Sequence, residues 1–378
     1  MRRWRRGQRK SLGALVLIET AFTGGPAEDE IEVTLFGPGI GECVLVHLGR
    51  GDWIIVDSCL DENFDPVALS YLESLEVAPE SVRTIVATHW HNDHVTGLNS
   101  VIDACPNAQV YISSALAAQE FFAFAEDQAK VEISGRSAVH ELRQVVARWE
   151  AGTLDVETAG ANRRLWQRGE PLEAEIWAVS PSSESHRRML AAFADAVTSD
   201  AEYATSAVNL DEQNEVSVAL WISVGGCRIL LGADLEASES RRLGWSAVVR
   251  LDPPPWDAKA EVFKVPHHGS DDADDEQVWG ELLTAQPFAL VTPFYSGRRF
   301  RPDDADRVRL RARTPHAYIT AKEPARKRKR GRRREVERVT RNRTSRPLIM
   351  ISPGRIRLRS EAAAPAWKVE LSGAAGRL

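Results

Sequence analysis

From Ile31 onward, short apolar runs alternate with glycine turns: "IEVTLFGPGIGECVLVHLGRGDWIIVDSC" predicts three successive strands that stop at Asp57. Helical spacing over 66–75 and a β-branched run over 83–88 then predict a crossover helix and a buried strand. The pattern turns helical between 114 and 150, where "ALAAQEFFAFAEDQAK" and "AVHELRQVVARWEAG" repeat apolar residues every three or four positions. A strand returns at "AEIWAVSP", and "HRRMLAAFADAVTSDAEYATSAVN" reads as a further helix and loop. The second half is again strand-rich, with "EVSVALWISV", "CRILLGAD", "AEVFKVPHHGS" and "FALVTPF". Two strand-rich halves with helices outside predict an α/β four-layer sandwich. The domain plan is a basic extension over 1–30 and one domain over 31–360, followed by a C-terminal segment over 361–378. Within the domain, helical insertions are expected at about 114–170 and 186–210, and a basic insertion at 322–346.

The strand over 83–88 delivers "ATHWHNDHVTGL" into a loop, placing His89, His91, Asp93 and His94 within six residues. Imidazole nitrogens and carboxylate oxygens in two close pairs suit two adjacent divalent metal ions. Two later stretches offer partners. "RILLGADLE" ends a buried strand near Asp234, where a carboxylate is placed to bridge two metals, and "EVFKVPHHGS" brings His267 and His268 to another strand end.

Composition narrows the class. A 43% hydrophobic content is ample for a packed core, and Cys43, Cys59, Cys105 and Cys227 show no CxxC pairing, so a disulfide framework or cysteine zinc knuckle is not expected. A reducing cytoplasm fits such isolated thiols. "MRRWRRGQRK" followed by a short apolar run has the outline of an export signal, but Glu19 interrupts the run, and a cytoplasmic extension is the expectation. No stretch is long enough to span a bilayer. The net charge of −6 conceals an asymmetry: residues 322–346 hold 13 Lys and Arg against 3 Glu, leaving a strongly acidic body.

With these motifs in order, the chain resembles the metallo-β-lactamase fold: "THWHNDH" is similar to its HxHxDH signature, "IIVDSC" to its first aspartate motif and "LLGAD" to its bridging-aspartate motif. "NEVSVALWISVGGCRILLGAD" with "FKVPHHGS" resembles in particular the hydrolase domain of ComEC-type DNA-internalisation proteins. The resemblance implies an αββα sandwich with two divalent ions, Zn or Mn, between the sheets. By this implication His89 and His91 hold one ion, Asp93, His94 and His268 hold the other, and Asp234 bridges them. Asp57 would orient the ligand loop. Asp93 would also align the attacking water, and His267 would contact substrate or act as an acid. Many members of the fold place a further histidine between HxHxDH and the bridging aspartate; His140 and His186 are the candidates in that interval, and both read as structural.

Two metals lower the pKa of a shared water and clamp the oxygens of an in-line displacement, so the expected chemistry is hydrolysis. A phosphodiester in nucleic acid is the first choice of bond. The resemblance points to DNA processing, and Arg326, Lys327, Arg328, Lys329, Arg330, Arg332, Arg333 and Arg334 supply phosphate-neutralising charge without base specificity. Asp234 and His267 are only 33 positions apart, which leaves no room for the β-CASP domain of RNA-processing relatives. The rival readings are a small-molecule phosphodiesterase or ester hydrolase of the same fold, and a non-catalytic scaffold binding other proteins of a bacterial multi-gene system.

Overall fold

A computed structural model describes residues 24–37, 41–117, 138–198, 213–296, 299–322 and 354–378, and in it the apolar runs become two eight-stranded sheets. The first half of the chain contributes β1 (Glu30–Gly37), β2 (Cys43–His47), β3 (Trp53–Val56), β4 (Val82–Ala87), β5 (Gln109–Ser113) and β6 (Val156–Ala159). The second half contributes β7 (Arg163–Arg168), β8 (Ala174–Ala178), β9 (Leu220–Val224), β10 (Cys227–Leu231), β11 (Ala260–Lys264) and β12 (Leu283–Val291). A small hairpin, β13 (Phe294–Ser296) and β14 (Arg299–Arg301), precedes β15 (Ala317–Ile319), β16 (Gly354–Glu361), β17 (Lys368–Gly373) and β18 (Gly376–Arg377).

The first sheet runs β17-β16-β1-β2-β3-β4-β5-β6 and the second β18-β15-β12-β11-β10-β9-β8-β7. In each, an antiparallel meander passes into parallel pairs: β3, β4, β5 and β6 in one, β10, β11, β12 and β15 in the other. Parallel pairs need crossover connections, which align the C-terminal ends of successive strands and gather their loops at one edge.

Three apolar interfaces hold four layers. Alternate residues such as Val33, Leu35, Ile54 and Val56 meet Ile222, Ile229, Val262 and Leu290 between the sheets. The opposite face of the first sheet, with Leu45, Trp53 and Ile85, packs on the helices Val67–Ser74, Leu98–Ala104 and Ala138–Glu150. The outer face of the second buries Trp221, Leu230 and Phe263 against Trp245, Val248 and Leu310.

The domain plan needs two corrections. Residues 151–170 are not part of a helical insertion: β6 and β7 lie there, each as the edge strand of one sheet. Their charged sequences, "VETA" and "RRLWQR", are those of edge strands, in which charge blocks pairing with further chains and hides the alternation of a buried strand. Residues 361–378 are not a separate segment either, because β17 extends the first sheet and β18 the second. Helix Ser183–Thr198 matches the start of the second helical insertion. The helical pattern over 118–137, the loop over 199–212, the N-terminal extension up to 23 and the basic residues Arg326 to Arg334 lie outside the described residues. No helix among the described residues is long and apolar enough to cross a membrane.

Candidate metal centre

Four strand ends converge. Asp57 follows β3, the His89–His94 loop follows β4, Asp234 follows β10 and the His267–His268 pair follows β11. The backbone turns sharply at these ends: Asp57, Ala233, His267 and His268 all have positive φ, at 61°, 45°, 43° and 54°. Left-handed backbone at residues with a Cβ is strained, and here the strain re-aims side chains away from the sheets into the gap between them.

Each buried imidazole is oriented through Nδ1. The His94 Nδ1–H donates to Asp57 Oδ2 (2.7 Å), the His268 Nδ1–H to the Thr292 carbonyl (3.0 Å), and the His89 Nδ1–H to Thr88 Oγ1 (2.9 Å). Thr88 in turn donates its hydroxyl to Asp57 Oδ2 and its backbone N–H to Asp57 Oδ1, both at 2.8 Å. All three Nε2 atoms therefore face inward, the orientation found in metal-ligating histidines.

The inward atoms meet around Asp234. Its Oδ2 lies 3.3 Å from His94 Nε2, 3.4 Å from His268 Nε2 and 3.9 Å from His89 Nε2, while His268 Nε2 is 3.2 Å from Asp93 Oδ2. Two overlapping triplets result, His89 with His94 and Asp234, and Asp93 with His94 and His268. His91 adjoins the first, its Nδ1 3.0 Å from His89 Nε2. Around a tetrahedral ion with bonds of about 2.0–2.2 Å, ligand atoms sit about 3.3–3.6 Å apart, so the His94 and His268 separations from Asp234 fit such an ion, and His89 lies slightly beyond at 3.9 Å.

Electrostatics point the same way. Burial, reinforced by His94 and His91, holds His89 well below the ordinary histidine value and keeps it neutral. Burial would lower His94 and His268 too, but the carboxylates of Asp234, Asp57 and Asp93 outweigh it, holding His94 well above the ordinary value and His268 up at about 10. Burial would raise Asp93 and Asp234, and the same imidazoles outweigh it and hold both carboxyls below the ordinary range. Three carboxylates, Asp57, Asp93 and Asp234, thus crowd around these imidazoles. His94 Nε2 is buried without a hydrogen-bond partner among the described residues. This donor set fits divalent cations.

The helices brace the loop. Trp90, between the two histidines of the signature, packs on Phe193 of Ser183–Thr198 with ring centroids 5.4 Å apart, and Glu141 of Ala138–Glu150 accepts from the Gly97 N–H at 3.2 Å. His140 meets Gln144 and His186 meets Ser114, so neither histidine enters the cluster. His267 stands beside it, donating through Nδ1–H to Asp272 Oδ1 (2.9 Å) and lying 3.3 Å from Glu236 Oε1, with Asn214 Nδ2 3.4 Å from its Nε2. Sequence reasoning missed Glu42, Thr88, Asn214, Glu236, Lys264 and Asp272. Only Lys264 carried a signal, as a lone charge inside the apolar run "VFKVP".

Residues 36–160, which hold Asp57 and the whole histidine loop, match the model of the Metallo-beta-lactamase superfamily. The fold is the metallo-β-lactamase fold. Superfamily members are generally metal-dependent hydrolases. No curated protein matches the chain. Solved structures of this fold similar to the chain include a HARLDQ-motif mutant of a metallo-beta-lactamase from Cronobacter sakazakii (15% identity, 61% of this chain and 75% of that one, TM-score 0.34). Another is a subclass B3 metallo-beta-lactamase isolated from a soil metagenome library (11%, 68% and 86%, 0.34). A third is a hydrolase of the beta lactamase superfamily (18%, 56% and 72%, 0.32).

Proposed function

We propose that this chain is a metal-dependent phosphodiesterase that cleaves polynucleotides with little sequence preference. The observation that carries the hydrolytic part is the pair of overlapping triplets sharing His94, with Asp234 Oδ2 facing three imidazole Nε2 atoms. His89, His91 and Asp234 would hold one divalent ion, and Asp93, His94, His268 and Asp234 the other. When bound, such ions polarise a phosphoryl oxygen and supply a nucleophile at neutral pH.

The chain's own residues do the rest. Asp57 and the Thr292 carbonyl hold His94 and His268 with Nε2 inward, and Thr88 links Asp57 to His89. Asp93 has the more exposed side chain of the two ligand carboxylates, which supports it as the group that would align the attacking water. The anchoring of His267 by Asp272 beside the cluster supports it as the imidazole that would contact substrate or act as an acid.

Support for a polynucleotide comes from two features. "FKVPHHGS" resembles DNA-processing hydrolases, and the Arg- and Lys-rich 322–346 stretch joins β15 of the second sheet to β16 of the first. The test is cleavage of single-stranded DNA, duplex DNA and RNA with added Mn²⁺ or Zn²⁺, wild type beside His91→Ala. The expected result is sequence-independent cleavage that the variant loses. Intact polynucleotides alongside hydrolysis of a small ester or small phosphodiester would overturn the substrate reading and leave the small-molecule hydrolase in its place.

A further inference from the structure

Lys264, the last residue of β11, is 1% exposed, and an ammonium removed from water to that degree persists only where it is paired and hydrogen-bonded. Its Nζ lies 2.5 Å from Glu42 Oε1, donates to the Ala233 carbonyl at 2.7 Å, and stands 3.6 Å from Asp234 Oδ1. Glu42 is as deeply buried, at 2%. It belongs to the turn that enters β2, and its N–H donates to the Asp93 carbonyl at 2.7 Å. The turn presses on that loop: a Cβ on Gly41 would stand 2.1 Å from the Asp93 carbonyl oxygen, so only glycine fits there. A continuous path thus runs from the backbone of Asp93 through Glu42 and Lys264 to the carboxylate of Asp234, joining the first sheet to the second.

The two oxygens of Asp234 face different partners. Oδ1 faces the ammonium, while Oδ2 faces His89, His94 and His268. A carboxylate free to turn about its last bond can offer both oxygens to one cation; this one is held with a single oxygen inward.

We propose that Lys264 and Glu42 are positioning residues of the metal centre: the ammonium holds Asp234 so that Oδ2 alone is shared between the two cation positions, and Glu42 fixes that ammonium to the loop carrying Asp93. The proposal rests on the reading of the cluster as a metal centre and is independent of the bond the protein hydrolyses. It accounts for a buried charge inside the apolar run "VFKVP" and for an acidic residue directly after a tight glycine turn.

The test is a Co²⁺ titration of metal-free protein, following stoichiometry by equilibrium dialysis and ligand geometry by the visible absorption of the bound ion. The double variant Glu42→Gln with Lys264→Met removes both charges at similar side-chain length, so neither charge is stranded. Wild type is expected to take up two equivalents. The double variant is expected to keep its circular dichroism and its first equivalent, and to bind the second at least about tenfold more weakly with an altered spectrum, in line with the cost of removing groups that orient metal ligands. Two equivalents bound with wild-type affinity and spectrum would overturn the proposal. If the double variant does not fold, Glu42→Gln alone decides. Its amide oxygen still accepts from Lys264, while the unbalanced ammonium now competes with cations for Asp234. Weakened uptake of the second equivalent supports the proposal and unchanged uptake overturns it. A wild type that takes up no Co²⁺ would overturn the metal centre and this proposal together. Failure of the polynucleotide reading would show only in the cleavage assay, because no substrate enters the titration.

Discussion

In the N-terminal half, β3 ends at Asp57 and its parallel neighbour β4 runs into the His89–His94 loop; in the C-terminal half, β10 runs to Asp234 and its parallel neighbour β11 into His267 and His268. The same arrangement of an aspartate and adjacent histidines is used for two purposes. Asp57 is saturated inside the protein, accepting from the Thr88 N–H, the Thr88 hydroxyl and the His94 Nδ1–H. Asp234 turns Oδ2 towards three imidazoles, and its Oδ1, without a hydrogen-bond partner among the described residues, faces the Lys264 ammonium at 3.6 Å. The difference lies in the residues just past the end of the neighbouring strand. Thr88 gives Asp57 two donors, whereas Val265 spends its N–H on the Leu290 carbonyl and Pro266 has none to give. A carboxylate at a strand end becomes scaffold or ligand according to the donors beside it.

That contrast breaks most sharply under substitution. His89→Ala is expected to abolish hydrolysis with circular dichroism and unfolding midpoint little changed, because the loop is carried by three separate apolar interfaces. Asp57→Asn removes one orienting acceptor but no inward-facing ligand, and should cost about 10- to 100-fold in metal affinity or activity, as outer partners of metal ligands typically do. Equal and complete loss in both variants would erase the distinction between an inward-facing ligand and the aspartate that orients the loop.

A smaller effect is expected far from both strand ends, on β2. The His47 Nδ1–H donates to the Glu30 carbonyl (2.8 Å) and its Nε2 accepts from the Gly51 N–H (3.1 Å), while burial lowers its pKa from 6.5 to about 4. The unfolded chain therefore binds the extra proton first. The contribution of neutral His47 is complete above pH 6.5, falls away as pH drops towards 4, and amounts to at most about 3 kcal/mol. Denaturant unfolding at pH 7.5 and pH 5 should show a smaller loss of stability in His47→Gln than in wild type; identical losses would contradict a neutral, buried His47.

Much of this was legible because local pattern and local chemistry coincide. Glycine turns bounded β1 to β3, and the residues that converge on the site were each marked by their place at the end of an apolar run. The pairing of Lys264 with Glu42 was not legible: it joins β11 of the second sheet to the turn before β2 of the first, and no local pattern links the two. The edge strands β6 and β7 were hidden by their charge. β18 was hidden because its partner β15 lies far back in the chain, and β17, the hairpin partner of β16, because it is an edge strand with a single buried position. β16 shows the same limit from within: its arginines are not a basic surface, since Arg359 meets Glu32 at 2.6 Å and Arg357 stacks over Tyr71 at 5.2 Å.

Metal content tests the central claim most directly. Wild type and Asp234→Ala would be loaded with Zn²⁺ or Mn²⁺, freed of excess by gel filtration and assayed by elemental analysis. Two divalent ions per wild-type chain, with at least one lost in Asp234→Ala, is the predicted result. A wild-type chain that retains neither metal, or an Asp234→Ala chain that retains both, would contradict a centre built around Asp234.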